Sequence, residues 1–272
     1  MPPGIPPLYP MGVGQIVDAS IKLYRQHWRM LIRIVAIPLA VLEFLRALLL
    51  QHYVTTGVSL SPFTPQTSNS TAANLGPVLS ITFAFILIQY IVVTPFLTAA
   101  VARASADLYL NRPVSVRDIY RAAMKRFWPI LGALILVGLA SLGGFFLLIV
   151  PGIIFAVRLV IAPVPVILEG AGPGRALRRS WNLSRGNFWR MVGLGLLVGI
   201  LEEIVAGIVS IIPGIVAHFA GPVGWVISGA GAAAGVILVT PFHTIALVLL
   251  YFDLRIRKEG FDLTILAQQL GG

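Results

Sequence analysis

The chain has 272 residues, of which 57% are hydrophobic and only 11% charged, with a net charge of +10 and a mean hydropathy of +0.91. A water-exposed surface needs about 25% charged residues, so most of this surface faces something other than water. Cysteine is absent and the four His are scattered, which excludes disulfides and thiol chemistry and leaves no metal-ligand spacing.

The N-terminal stretch MPPGIPPLYPMG is Pro-rich and reads as a disordered tail over residues 1–13. No signal-peptide cleavage site is expected, because the first apolar run begins near residue 30 and is long enough to span. Six apolar runs follow, near 30–51, 77–106, 128–149, 150–169, 190–212 and 222–252. Each approaches the ~20 helical residues needed to cross a bilayer core. The break between the third and fourth rests on Pro151-Gly152 and reads as a helical hairpin, with a re-entrant pair as the alternative.

The basic residues cluster between these runs. Eighteen of the twenty Lys and Arg fall before the first span, between the second and third, between the fourth and fifth, or after the sixth, counting Arg33, Arg103 and Arg190 at the span ends, which leaves Arg46 and Arg158 deeper within spans. The opposite connections, near 52–76, 143–150 and 213–221, carry none. The positive-inside rule then places both termini in the cytoplasm. Nucleic acid is the less economical partner for such charge. Basic residues beside apolar runs match anionic inner-leaflet lipid headgroups.

An internal repeat organises the chain. Val17, Ser20, Ile21, Tyr24 and Trp28 share the spacing of Val116, Ile119, Tyr120, Ala123 and Phe127, and of Leu177, Ser180, Trp181, Ser184 and Phe188. That spacing lines one face of a helix. Much of the remaining surface is basic, including Arg117, Arg121 and Lys125, then Arg175, Arg178, Arg179 and Arg185. These segments read as amphipathic helices in the inner interface. A second match joins IVVTPFLT at 91–98 to ILVTPFHT at 237–244, and the same offset superimposes Pro95 on Pro241 and Asp107 on Asp253. The two prolines predict kinks, and the two aspartates anchors for the arginines around them.

The expected fold is therefore all-α: six transmembrane helices in three hairpins, each preceded by an interfacial helix. The units cover about 14–110, 111–172 and 173–258, with 259–272 as a C-terminal tail. An even number of spans per unit gives all units the same topology.

Four stretches carry a family likeness: GQIVDASIKLYRQHW, VPGIIFAVRLVIAPVPVILEG, RALRRSWNLSRGNFWR and LLYFDLRIRKEGFDL. They resemble bacterial proteins of the glycerophosphoryl diester phosphodiesterase membrane-domain family, over nearly the whole chain after the Pro-rich tail. The resemblance implies a multi-pass module of the bacterial inner membrane in a lipid context. It implies no activity, since the family's catalytic half is a separate soluble domain with no counterpart here.

Ionisable residues inside spans are the default functional suspects. Glu43, Glu202 and Glu203 lie roughly 20 Å from the inner boundary at 1.5 Å per residue, and Arg158 falls at a similar depth. A pairing of Arg158 with one of these carboxylates is expected, with Glu43 alternatively satisfied by Arg46 at i+3. No catalytic constellation, metal site or cofactor motif is present in the sequence. The expectation is a non-enzymatic membrane protein whose basic collar engages inner-leaflet lipids. A small transporter using the central Glu/Arg layer is the alternative.

Overall fold

The computed structural model describes the backbone of residues 10–55, 71–110 and 112–260. Of the tails expected at 1–13 and 259–272, residues 1–9 and 261–272 lie outside the described residues, as does most of the connection near 52–76. Nine α-helices and no strand occur among the described residues. They are α1 (Val13–Thr55), α2 (Thr71–Ile88), α3 (Thr94–Tyr109), α4 (Val116–Leu147), α5 (Ile149–Leu159), α6 (Pro163–Leu168), α7 (Pro173–Ser184), α8 (Phe188–Phe219) and α9 (Gly224–Glu259).

Five stretches are long and apolar enough to cross a membrane: Leu79–Tyr109, Val116–Leu147, Ile149–Leu168, Phe188–Phe219 and Gly224–Glu259. They contain or closely follow five of the expected windows. The window at 30–51 falls within α1, which is not among the five.

Only the third of the expected interfacial segments stands apart as its own helix. α7 ends at Ser184, and beyond its cap Arg185 comes Gly186 at φ 78°, a conformation that an L side chain resists and glycine accepts. The first segment runs into the following helix across a kink at His27 (φ −121°, ψ 18°). The second continues into α4 without interruption, Pro129 included. No glycine lies at either of those junctions, so the chain is not released from helix there.

The two repeat-related prolines also behave differently. Before Pro95 the helix widens to a π-helical segment, Gln89–Val93, closed by the Thr94 N–H on the Gln89 carbonyl. Proline supplies no N–H and crowds the carbonyl four residues back, and a π turn is a common way to absorb that. Pro241 instead sits inside a continuous α9.

The chain divides into two compact units. The first comprises 1–34, 95–202 and 240–272 and holds nineteen of the twenty Lys and Arg. Its core is drawn from Ile16, Leu31 and Ile34, Ile130, Ile161 to Val166, Leu194, and Ile245 to Leu254. Within it α5 packs along α4 with only Leu148, in extended conformation, between the helices. Gly144 and Gly152 touch there: a Cβ on Gly144 would meet the Gly152 Cα at 2.8 Å.

The second unit comprises 35–94 and 203–239. It buries Val35, Leu39, Leu42, Phe85 and Val93. Its helices approach closely at small residues, Gly231 against Pro213 and Gly229 against Ala47, as expected where no aqueous hydrophobic drive assists packing. Large apolar side chains such as Ile37, Phe44, Ile208, Ile212 and Ile215 are exposed. On a membrane span those are the side chains that face hydrocarbon.

Candidate functional site

The polar chemistry of the first unit is concentrated in two ionic clusters and one stacked pair. Asp253 on α9 is fully buried, and its carboxylate accepts from Arg190 at 2.9 Å and from Arg257, one turn on, at 3.0 Å. It also accepts the Met11 main-chain N–H at 2.7 Å, while Arg190 and Arg257 both donate to the Met11 carbonyl. The chain just before α1 is thereby clamped to α8 and α9. Asp107, its repeat counterpart, uses different partners, Arg103 at 2.7 Å and Arg112 at 4.0 Å. Arg103 lies four residues before the carboxylate, whereas Arg257 lies four after it.

The second cluster joins α7 to α9 and to the residue that ends α6. Arg179 donates to Glu169 at 2.7 Å and to Glu259 at 2.9 Å. Arg255 meets Glu259 at 3.0 Å and Glu169 at 3.6 Å. The buried Tyr251 donates its hydroxyl to Glu169 and accepts from Arg179. Two cations and two anions therefore neutralise one another. Partial burial works against the charge on Arg179, but its bonds to Tyr251, Glu169 and Glu259 outweigh that and hold it above the usual arginine range.

Arg158, in the last turn of α5, meets no carboxylate of its unit. Its guanidinium lies over the Trp181 ring at 4.6 Å, and Ser180 donates to its main-chain carbonyl at 2.7 Å. The expected ion pair with Glu202 does not form. Glu202 instead faces His243 of α9 at 3.3 Å, because Arg158 lies on the α7 side of α5 and is held there by an aromatic. The second Glu202 oxygen is buried without a partner among the described residues. His243 lines a cavity of about 400 Å³, otherwise walled by apolar side chains including Val157, Leu194 and Leu247. In the second unit Glu43 is buried and closes on Arg46 at 2.6 Å, three residues along its own helix. Glu203 is exposed.

Two groups stand out among the basic residues. Arg179, Arg190, Arg255 and Arg257 are spent on internal carboxylates. Arg117, Lys125, Arg175, Arg178 and Arg185 are exposed and form no hydrogen bond or ion pair among the described residues. Arg121 is also exposed, with Asp118 at 3.7 Å. Trp28, Trp128 and Trp189 are exposed by 46%, 75% and 81%, each near one of the junctions where a basic segment meets an apolar one. Sequence reasoning missed Glu169, Tyr251, Arg255 and Glu259 as a network, as well as His243 as the partner of Glu202. Apart from Arg255 and Glu259, four residues apart on α9, no local spacing signals those pairs, which are mostly tens of residues apart in sequence.

These observations define an all-helical, multi-pass membrane protein. Residues 122–254, from within α4 to near the end of α9, match the model of a domain of unknown function (DUF7847). No curated protein and no solved structure matches the chain.

Proposed function

We propose that the chain is a non-enzymatic six-span protein of a bacterial inner membrane, with both termini cytoplasmic, whose basic end binds anionic inner-leaflet lipids. The observation that carries this reading is the separation of the arginines. Those near carboxylates are neutralised internally, and an exposed set on α4 and α7 lies beside exposed tryptophans. Lys and Arg near an anionic surface each contribute about 1 kcal/mol, and tryptophan prefers the headgroup level. Six spans are supported by the Glu43–Arg46 pair, which cancels two of the three charges inside the 30–51 window and leaves only Arg33 near its start. The three-unit repeat and the likeness to the glycerophosphoryl diester phosphodiesterase membrane domain favour the same membrane context.

The test is the lipid content of the purified protein, read by native mass spectrometry. Retained anionic lipid is expected for the natural chain and a marked loss for the triple variant Arg175→Gln, Arg178→Gln, Arg185→Gln. Equal lipid content in the two would overturn the proposal.

One observation favours transport as a second reading. Glu202 and His243 pair near the middle of the long apolar helices α8 and α9, beside the 400 Å³ cavity. Uptake into vesicles that is abolished by Glu202→Gln, with lipid binding unchanged, would favour it.

A further inference from the structure

Arg158 poses a problem of charge. It lies within Ile149–Leu168, a stretch apolar enough to span, where a cation calls for a partner. Its Nε is buried and makes no hydrogen bond, while the residue as a whole is half-buried. Every described carboxylate of its unit already has another partner: Asp18 has Lys22, Asp107 Arg103, Asp118 Arg121, Glu169 and Glu259 share Arg179, Glu202 faces His243, and Asp253 has Arg190. The unit's described residues therefore hold no carboxylate for Arg158.

The surroundings of Arg158 fix its geometry. Trp181 lies under the guanidinium at 4.6 Å and is itself packed on Phe155, with ring centroids 5.5 Å apart. The bond from Ser180 to the Arg158 carbonyl ties α7 to the end of α5. A guanidinium stacked on an aromatic keeps its edge of N–H donors free, in the planar fork that matches a phosphate or carboxylate bidentately. Arg178, three residues before Trp181 and so beside it on α7, is exposed, as is Arg175 a further turn back, so an approaching anion meets positive potential first.

We infer that the stacked Arg158–Trp181 pair is a receptor for a phosphate oxyanion, carried by an anionic lipid whose headgroup lies against α7. The oxyanion chemistry stands on Arg158 itself, whereas a lipid as its carrier rests on the lipid-binding reading above. Arg175 and Arg178 attract the headgroup, and Arg158 holds one phosphate by directed hydrogen bonds.

The test titrates purified protein in detergent, by native mass spectrometry, with short-chain phosphatidylglycerol, with diacylglycerol of the same chains, and with inorganic phosphate. The proteins are the natural chain, Arg158→Gln, Arg158→Lys, Trp181→Leu and the Arg175/Arg178/Arg185→Gln triple variant. Thermal melting of each without lipid establishes that it is folded. Should Arg158→Gln not fold, Arg158→Lys gives the answer, since it keeps the charge and loses the fork.

One saturable phosphatidylglycerol per chain is expected, with none for diacylglycerol. Arg158→Gln should weaken it about tenfold or more, equivalent to roughly 1.4 kcal/mol, with smaller losses in Arg158→Lys and Trp181→Leu. Inorganic phosphate that competes in the natural chain and not in Arg158→Gln supports the receptor and makes free phosphate its ligand. Undiminished affinity in both Arg158 variants, with loss only in the triple variant, overturns the receptor and leaves the lipid-binding reading standing. Undiminished affinity in every variant overturns both.

Discussion

Asp253 and Arg190 form an ion pair at 2.9 Å in which the carboxylate is fully buried. The same carboxylate holds Arg257 and the Met11 N–H. Removing its charge leaves Arg190 and Arg257 side by side with no counter-ion. Breaking a buried pair in this way costs about 3–5 kcal/mol. Asp253→Asn is therefore expected to lower the melting temperature in detergent substantially. Asp107→Asn, at the repeat-equivalent but less buried position, should cost clearly less. Equal melting shifts for the two variants would show that the Met11 clamp contributes nothing.

The contact between α4 and α5 makes a second expectation specific. A Cβ at position 152 would stand 2.4 Å from the Phe145 ring, and one at 144 would stand 2.8 Å from the Gly152 backbone. Gly152→Ala and Gly144→Ala should each destabilise by about 1–3 kcal/mol, the usual range for overpacking. Gly138, in the same helix, has open space around it. Gly138→Ala there should be neutral or stabilising by up to about 1 kcal/mol, since glycine is a poor helix former. Thermal or denaturant melting of the three variants checks the ordering, and a Gly144 variant as stable as the Gly138 variant would contradict it.

How much of this was legible in the sequence depends on the range of the interaction. Hydropathy and helical spacing are local, so five of the six expected windows reappear in apolar helices. The Glu43–Arg46 contact, three residues apart, was also readable from spacing. The partners of Glu169 were not, because Arg179 and Tyr251 reach it from elements 10 and 82 residues away. Arg158 was expected to seek a carboxylate, and a charge count cannot reveal that Trp181 stands closer. The interfacial segments look alike in sequence, yet only the third is followed by a glycine that releases the chain from helix.

That glycine yields a third prediction. Gly186 has φ 78°, and open space surrounds the position a Cβ would take, so strain is the only cost of adding one. Gly186→Ala should destabilise by about 1 kcal/mol or somewhat more. Gly172, whose φ of −69° suits any residue, also has open space around it, and Gly172→Ala should cost little. If the two variants melt together, the α7–α8 junction is not held in the left-handed conformation.

The exposed tryptophans allow the membrane boundary itself to be located. Trp28, Trp128 and Trp189 belong to three different helices of the first unit, and tryptophan favours the headgroup level over the hydrocarbon centre. In single-tryptophan variants reconstituted into brominated phospholipids, bromine close to the headgroup should quench all three strongly. Bromine near the chain end should quench them weakly. Ile208 and Ile212 of α8 lie about 30 Å and more along the helix from Trp189 at 1.5 Å per residue, on the stretch expected to approach the opposite face. A tryptophan placed midway, at Leu196 or Ile200, both exposed, should show the reverse preference, with deep bromine the better quencher. Deep quenching of Trp189 and shallow quenching at Ile200 would move the boundary into α8, and would take Arg175, Arg178 and Arg185 out of reach of the headgroups.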